Sequence, residues 1–235
     1  MFSLIKNICL YFEQSCSLCD TPTLSSIPLC KECYQDLPWI EHCCFRCGIP
    51  IYSHNRQCGE CLNNPPYFAS TQVAFEYAFP VNAAITQLKH EHALHHAAWL
   101  ASCLYDKLQK RPQAWPQAII PVPLHHSRLL QRGFNQSLVI GEQLSQLTQI
   151  PLLANKLIKT KHTSTQFSLD ASHRRQNLHN AFRYNGPILE HVTVIDDVMT
   201  TGSTLNEISR TLKDAGIKRI DLWVVARTPK PKQRI

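Results

Sequence analysis

Cysteine is concentrated near the start of the chain, with the spacing of a metal site. Ten of the eleven cysteines lie in residues 9–61, and Lys6 within the first apolar residues argues against a secretion signal. Eight form Cys-x-x-Cys pairs that repeat with an offset of 28 residues: Cys16, Cys19, Cys30, Cys33, Cys44, Cys47, Cys58 and Cys61. Two pairs complete the tetrahedral four-thiolate shell of structural zinc, whereas disulfides are rare in the cytoplasm. The sequence therefore predicts two structural zinc ions.

The repeat leaves two zinc pairings open. Sequential pairing within each 28-residue unit is the simpler one, and an interleaved cross-brace would join the first cysteine pair to the third. Cys43 could also replace its neighbour Cys44, although Gly48 directly after Cys47 favours Cys44 as the first ligand of that turn. In every case thiolates take all four positions, so no position is open to a substrate. We therefore expect any substrate chemistry to lie elsewhere in the chain.

A second cluster of chemically active side chains follows an apolar segment near residue 195. It consists of two carboxylates and a run of small residues: Asp196, Asp197, Thr200, Thr201, Gly202, Ser203 and Thr204. Small residues at a helix N-terminus offer N–H groups and the positive end of the helix dipole to an anion. The carboxylates would repel a phosphate, so we expect them to accept hydrogen bonds from sugar hydroxyls or to hold Mg²⁺. A sugar-phosphate site explains both features, whereas a capped helix start would explain only the hydroxyls.

Positive charge is concentrated in the middle of the chain. Residues 107–183 carry 11 basic and 2 acidic side chains, against 5 and 9 in residues 1–106. Six basic residues are candidates for binding a diphosphate or a nucleic acid: Arg128, Arg132, Lys159, Lys161, Arg174 and Arg175. The first two are four residues apart on a predicted helix, a spacing that suits an anion with several oxygens. The alternative interpretation is a solvated basic surface kept for solubility.

The elements that must position these residues alternate between strands and helices. Apolar strands are predicted at residues 71–77, 118–122, 191–196 and 219–225, and helices at residues 80–108, 127–147 and 204–215. This alternation indicates an α/β fold with a parallel sheet, in which ligands bind beyond the carboxyl ends of the strands. His92 and His96 have the i, i+4 spacing of one helix face, and we expect a solvated or anion-facing helix surface there because no third metal ligand is nearby.

Several of these motifs together resemble a known family. Residues 192–204 are similar to the thirteen-residue phosphoribosyl diphosphate motif of type I phosphoribosyltransferases. With the Cys-rich start and residues 121–125, 132–136 and 165–166, the chain resembles the ComF family of competence proteins from about Cys16 to Arg227. The resemblance implies a type I phosphoribosyltransferase-like parallel sheet with flanking helices, preceded by a small double zinc ribbon.

The resemblance also implies roles for the candidate residues. In that family the two acidic residues bind the ribose hydroxyls of phosphoribosyl diphosphate, the following loop binds its 5-phosphate, and Mg²⁺ accompanies the ligand. Residues 156–182 lie where the family carries a mobile loop over the site. With the basic middle of the chain, the resemblance predicts binding of single-stranded DNA, and other DNA-processing proteins as partners, during natural transformation.

Two other functions would use the same site. One is a phosphoribosyltransferase of nucleotide metabolism, and the other is a non-catalytic regulator that senses phosphoribosyl diphosphate and binds nucleic acid. The sequence shows no nucleobase pocket or catalytic base, so the acceptor of any transfer is left unassigned.

These expectations divide the chain into four parts. We expect an N-terminal helix and the double zinc ribbon in residues 1–62, a linker in residues 63–72, the phosphoribosyltransferase-like domain in residues 73–227 and a mobile basic tail in residues 228–235. No apolar run reaches the length of about 18 residues that a membrane span requires. We therefore expect a cytoplasmic protein.

Overall fold

A parallel sheet with helices around it organises the fold. The structure is a computed structural model that describes residues 14–25, 27–51, 56–110, 114–161 and 180–229. Along the chain its elements are β1 (Gln14–Ser15), β2 (Pro22–Thr23), α1 (Lys31–Gln35), α2 (Gly59–Asn63), β3 (Ser70–Glu76), α3 (Val81–His90), α4 (His95–Gln109), β4 (Ala118–Pro121), α5 (His126–Arg132), α6 (Gln136–Thr148), β5 (Leu157–Lys159), β6 (Phe182–Tyr184), β7 (His191–Met199), α7 (Ser203–Asp214) and β8 (Arg219–Arg227). The α/β class and the parallel sheet predicted from the sequence are confirmed.

The strand order explains why one edge of the sheet carries the candidate site. The order is β3-β8-β7-β4, and each neighbouring pair is parallel. The shorter strand β4 pairs with residues 192–195 of β7. Asp196 and Asp197 therefore extend beyond the end of β4, at the carboxyl edge where α/β sheets bind ligands.

Two segments that were predicted as single helices are each two helices. Residues 127–147 divide into α5 and α6 at Gly133, which adopts a left-handed conformation with φ 79°. Asn135 then begins α6, because its side chain accepts the N–H of Ser137 at 3.0 Å. A left-handed glycine ends a helix and an asparagine cap begins one, so this local signal overrides the continuous apolar periodicity. Residues 80–108 likewise divide into α3 and α4, with His92 left-handed between them (φ 57°).

The expected solvated histidine surface is wrong for His96. Its side chain is buried in α4 and fully hydrogen-bonded. The Trp99 Nε1–H donates to His96 Nδ1 at 3.0 Å, and His96 Nε2 lies 2.8 Å from Gln87 Oε1. Burial lowers the pKa of His96 to about 4, so the ring is neutral and packs as part of the core. His92 lies in the turn before α4, and the two residues do not share one helix face.

The cysteine-rich region packs directly against the sheet and α4. Leu29 and Leu37 belong to the same buried cluster as the apolar residues of α4. Trp39 packs on Phe75 of β3 with ring centroids 4.6 Å apart. The Tyr34 hydroxyl donates to Asp106 Oδ2 at 2.9 Å. These contacts give a segment with few apolar residues of its own a share in the main core.

Parts of the predicted organisation lie outside the described residues. The N-terminal helix falls in residues 1–13, and most of the basic tail falls in residues 230–235. The predicted boundaries at residues 62 and 72 stay predictions, and β3 begins at Ser70. Within the described ranges, no helix has both the length and the apolar character that crossing a membrane requires.

A buried carboxylate joins three strands at the opposite, amino edge of the sheet. Asp221 is 1% exposed and accepts from Ser70 Oγ at 2.9 Å and Arg219 Nη2 at 3.1 Å, with His191 Nε2 at 2.8 Å. Burial would raise the pKa of Asp221, but the hydrogen bonds from His191, Ser70 and Arg219 outweigh burial and hold that pKa below its usual value. Asp221 is therefore a fixed point of the sheet, since its hydrogen bonds hold β7, the strand that carries the candidate site, to β8 and β3.

Asp221→Asn is expected to lower the free energy of unfolding by about 3 kcal/mol at pH 7, because it removes the buried charged acceptor of these hydrogen bonds and leaves the Arg219 guanidinium beside a neutral amide. The folded-state pKa is lowered, so the contribution of Asp221 is present above its unfolded pKa of about 3.9 and is lost as pH falls through the folded value. The difference in the free energy of unfolding between the wild type and Asp221→Asn should narrow below about pH 5. Urea unfolding of zinc-loaded protein across this pH range measures it.

Glu190→Gln is the matched control, since Glu190 pairs with Lys218 at the same edge but both side chains are about 70% exposed. Such a surface pair contributes at most about 1 kcal/mol. A cost for Asp221→Asn no larger than that of the control would contradict the assignment of Asp221 as a fixed point.

Candidate functional site

The eight predicted ligand cysteines form two compact groups. Their sulfur atoms lie within 4.8 Å of one another in each group: Cys16, Cys19, Cys30 and Cys33 in the first zinc site, and Cys44, Cys47, Cys58 and Cys61 in the second zinc site. Cys19 and Cys30 have their sulfurs 3.7 Å apart, as do Cys47 and Cys58. Four sulfurs about 2.3 Å from a tetrahedral zinc are separated by about 3.8 Å. The geometry therefore fits two four-cysteine zinc-binding sites.

This grouping decides between the two pairings that the sequence left open. Each site takes its cysteines from one 28-residue unit, so the pairing is sequential and the cross-brace is wrong. Cys44, rather than Cys43, is the ligand of the second site. The residues after Cys19 and Cys47, Asp20 and Gly48, are both left-handed, with φ 60° and 66°. The two turns therefore share one backbone shape, which the 28-residue offset predicts.

The loop between β7 and α7 has the geometry of a phosphate cradle. Gly202 is left-handed (φ 80°), and a Cβ atom there would lie 2.5 Å from the Met199 side chain. The Ser203 N–H donates to Thr201 Oγ1 at 3.3 Å. Thr200 and Thr201 are exposed, and residues 202–204 are partly buried at the N-terminus of the 12-residue helix α7. The loop thus presents hydroxyls and the positive end of a helix dipole at the carboxyl edge of the sheet.

The two predicted acidic residues adjoin this loop and are held by α6. The Ser137 hydroxyl donates to Asp196 Oδ1 at 2.9 Å, and Gln136 Nε2 donates to Asp197 Oδ1 at 3.2 Å. Asp197 is 3% exposed, and its Oδ2 forms an ion pair with the Lys89 ammonium at the end of α3. Each carboxylate therefore has a fixed orientation before any ligand binds.

The electrostatics of the pair resist a second negative charge. Burial and the neighbouring charge of Asp197 raise the pKa of Asp196 to about 8. The Ser137 hydrogen bond and the Lys89 charge act in the opposite direction but are weaker. A cation, or donor hydroxyls from a sugar, would relieve this repulsion. The pair is therefore suited to a ligand that brings such groups, as the sequence predicts.

Arg132 is connected to the acidic pair through one side chain. Its Nη1 donates to Gln136 Oε1 at 2.7 Å, and the same amide donates to Asp197. Arg128 lies one turn earlier on α5, a helix without buried residues. Burial lowers the pKa of Arg132, while the Asp197 carboxylate opposes that shift and Arg128 adds to it. The arginines predicted to bind a diphosphate thus lie beside the predicted sugar site.

Lys159 joins this group from β5. Burial and the charge of Arg128 both lower the pKa of Lys159, so the two cations lie close enough to repel each other. Its ammonium also lies 5.8 Å from the centre of the Phe182 ring. Lys161 is exposed two residues later, and Arg174 and Arg175 lie outside the described residues. Positive charges that act on one another in this way attract anions.

Three side chains that neutralise or position parts of the site were not predicted from the sequence. Lys89 neutralises Asp197, Ser137 orients Asp196, and the Arg227 guanidinium donates to backbone carbonyls of the loop. Gln136 belongs to residues 132–136, which carry part of the family resemblance, but its contact with Asp197 was not predicted. Lys89 and Arg227 are distant in sequence from their partners, and the pattern of neighbouring residues gives no signal for either contact.

We predict two zinc ions per chain, because each four-cysteine group fits one ion. Elemental analysis of the purified protein should give two equivalents, and Cys16→Ser or Cys47→Ser should lose one of them and become sensitive to protease. Cys43→Ser is the matched control, since Cys43 adjoins a ligand without belonging to the group, and it should retain both ions. One equivalent or none in the wild-type protein would contradict two sites.

Two domain patterns match parts of the chain. The pattern of the double zinc ribbon domain matches residues 8–62, and that of the phosphoribosyl transferase domain matches residues 137–235. Among solved structures, a purine phosphoribosyltransferase from Pyrococcus horikoshii Ot3 is 18% identical, with a TM-score of 0.35 over 58% of this chain and 89% of that one. A likeness at that level carries no weight for function.

Curated relatives extend the similarity across most of the chain. Competence protein F of Haemophilus influenzae is 37% identical over 221 residues, which is 90% of either chain. The DNA utilization protein YhgH of Escherichia coli strain K12 is 33% identical over 218 residues, 91% of this chain and 90% of its own. Because identity at this level spans nearly the full length and both domain patterns match, the chain belongs to the ComF family of competence proteins.

Proposed function

We propose that this chain binds phosphoribosyl diphosphate together with Mg²⁺ and also binds single-stranded DNA, as a cytoplasmic component of DNA uptake in natural transformation. Its homologues, named competence protein F and DNA utilization protein YhgH, support a role in competence and DNA uptake. One observation carries the ligand assignment. The acidic pair Asp196 and Asp197 and the N-terminus of α7 follow one strand, within reach of one sugar phosphate.

Different groups of the site would bind different parts of the ligand. The loop of residues 200–204 takes the 5-phosphate at the N-terminus of α7, and Asp196 and Asp197 accept hydrogen bonds from the ribose hydroxyls. Bound Mg²⁺ would neutralise charge between the carboxylates and the diphosphate. The Lys89 ammonium already occupies Asp197 Oδ2, so an incoming hydroxyl or cation shares or displaces it.

The diphosphate and the DNA backbone are both anionic, so both would bind cationic side chains. Arg128 on α5 and Lys159 on β5 carry charges that act on each other, and Arg132 is linked to the acidic pair by Gln136. The surface of α5 is exposed, including Leu130 at 72%. An exposed helix with cations and apolar side chains suits a single strand, whose phosphates and bases both need contacts.

The chemistry of the cysteines supports the proposed cytoplasmic location. None of the ten cysteines in the described residues forms a disulfide bond. Eight of them must stay reduced to hold two zinc ions, and the cytoplasm is the compartment that keeps thiols reduced.

The double variant Asp196→Asn and Asp197→Asn should weaken binding of phosphoribosyl diphosphate at least tenfold. Both replaced side chains lose an oxygen that accepts from a ribose hydroxyl, and one charge-assisted hydrogen bond alone is worth about 1.5–3 kcal/mol. Calorimetric titration in the presence of Mg²⁺ measures the affinity, and thermal unfolding verifies that the variant is folded. Asp214→Asn, at the far end of α7 and 62% exposed, is the control and should bind as the wild type does. Equal affinity of the double variant and the wild type would refute the sugar site.

Single-stranded DNA should bind with little sequence preference and with an affinity that falls steeply as salt rises. The variant Lys159→Gln and Lys161→Gln should reduce the slope of log affinity against log salt by about 1.4, because each phosphate contact on a single strand contributes about 0.7. Fluorescence anisotropy of a labelled oligonucleotide across a salt series measures the slope.

The control for the DNA experiment removes two lysines at the amino edge of the sheet. Lys213→Gln and Lys218→Gln lower the net charge equally but lie at the end of α7 and before β8, and they should leave the slope unchanged. An equal effect of both double variants would indicate nonspecific attraction by net charge. Failure of the wild-type protein to bind DNA at low salt would defeat this part of the proposal.

A further inference from the structure

One buried arginine connects the second zinc site to the phosphate loop. Arg227 is the last residue of β8 and is 4% exposed. Its Nε donates to the carbonyl oxygen of Cys47 at 3.0 Å. Its Nη1 donates to the carbonyl oxygens of Met199 at 2.9 Å, Thr228 at 3.0 Å and Thr200. A single rigid guanidinium thus spans a zinc ligand and the first residues of the loop.

The second zinc site fixes the backbone that Arg227 bonds. Cys47 is one of the four cysteines of this site, and a bound ion would hold that residue and its carbonyl oxygen in place. Four thiolates around one Zn²⁺ also leave a net charge of about −2 close to Arg227, and a buried cation is costly unless an opposite charge compensates it. Without the metal, the four cysteine side chains lose their common ligand, and the Cys47 carbonyl is no longer held against Arg227.

The first zinc site has no such connection among the described contacts. Its region meets α4 through the hydrogen bond of Tyr34 to Asp106 and that of Lys107 to the Ile40 carbonyl, and it meets β3 through Trp39 and Phe75. The second site's region has another arginine that bonds the main domain without touching the loop. Arg46 Nη1 donates to the Phe68 carbonyl at 3.1 Å. Arg46 is therefore a matched control for Arg227.

We propose that Arg227 is a positioning residue through which metal occupancy of the second zinc site sets the backbone of the phosphate loop and hence its affinity for ligand. The proposal rests on the proposed function, since it takes the loop as the site of the 5-phosphate. Coupling between two sites is reciprocal. Zinc in the second site should strengthen ligand binding, and bound ligand should retain that zinc by the same factor.

The first measurement needs no ligand. Hydrogen exchange at the amides of residues 200–204 should become about tenfold faster, a typical size for coupled sites, when zinc is removed from the wild-type protein. Arg227→Met should show the faster exchange with zinc still bound, and removing its zinc should add little. Arg46→Met should behave as the wild type. If Arg227→Met does not fold, Arg227→Lys keeps the charge but reaches fewer carbonyls and should give an intermediate rate.

The second measurement tests reciprocity. The extent of zinc release to a chromophoric chelator is measured at equilibrium in excess Mg²⁺, with and without phosphoribosyl diphosphate. The ligand should raise the zinc affinity of one of the two sites about tenfold in the wild type and in Arg46→Met, and of neither site in Arg227→Met. A role in stability alone would not make zinc release respond to the ligand.

The two measurements fail in distinguishable ways. Unchanged loop exchange after zinc removal overturns the coupling whether or not the ligand binds. Ligand binding by the wild type without any effect on zinc release overturns it as well. If the wild type binds no phosphoribosyl diphosphate, the proposed function fails, and the exchange measurement still decides whether the zinc site positions the loop.

Discussion

Two carboxylates held side by side at the end of a buried strand are the arrangement on which the site depends. Burial makes the charge of Asp196 costly and repulsion from Asp197 adds to the cost, which is why the pKa of Asp196 rises to about 8. Side chains from two helices stabilise the pair. Lys89 comes from α3, and Ser137 and Gln136 come from the first turn of α6. The break at Gly133 makes this possible, because a continuous helix would have no N-terminal turn at that position.

The zinc ribbons are part of the same structure rather than an appendage. Cys16 and Leu29 are buried in one cluster with the sheet and α4, and Cys43 and Cys47 pack against the cluster beneath β7. Gly48 follows a zinc ligand, and a Cβ atom there would meet Thr71 of β3 at 3.0 Å. Metal binding and folding of the main domain are therefore linked, since small cysteine-rich segments gain their folding energy from the metal.

The sequence predicted the elements whose signals are local. The strand before Asp196, the small-residue loop and the cysteine repeat each carry residue types whose chemistry is specific, and the structure places them as expected. The apolar periodicity wrongly predicted one continuous helix where the structure has a break at Gly133 and another at His92. The Gly-Phe-Asn sequence at residues 133–135 does indicate the first of these breaks. The strand order and the Lys89 and Arg227 contacts were inaccessible, because they join residues far apart in sequence whose partners only the fold specifies.

The most direct test is a crystal of the full chain soaked with phosphoribosyl diphosphate and Mg²⁺, combined with an assay for released diphosphate with and without single-stranded DNA. We expect the 5-phosphate at residues 200–204, the ribose hydroxyls on Asp196 and Asp197, and the diphosphate toward Arg128 and Arg132. Density for the ligand away from the carboxyl edge of β7, or none at millimolar ligand, would contradict it.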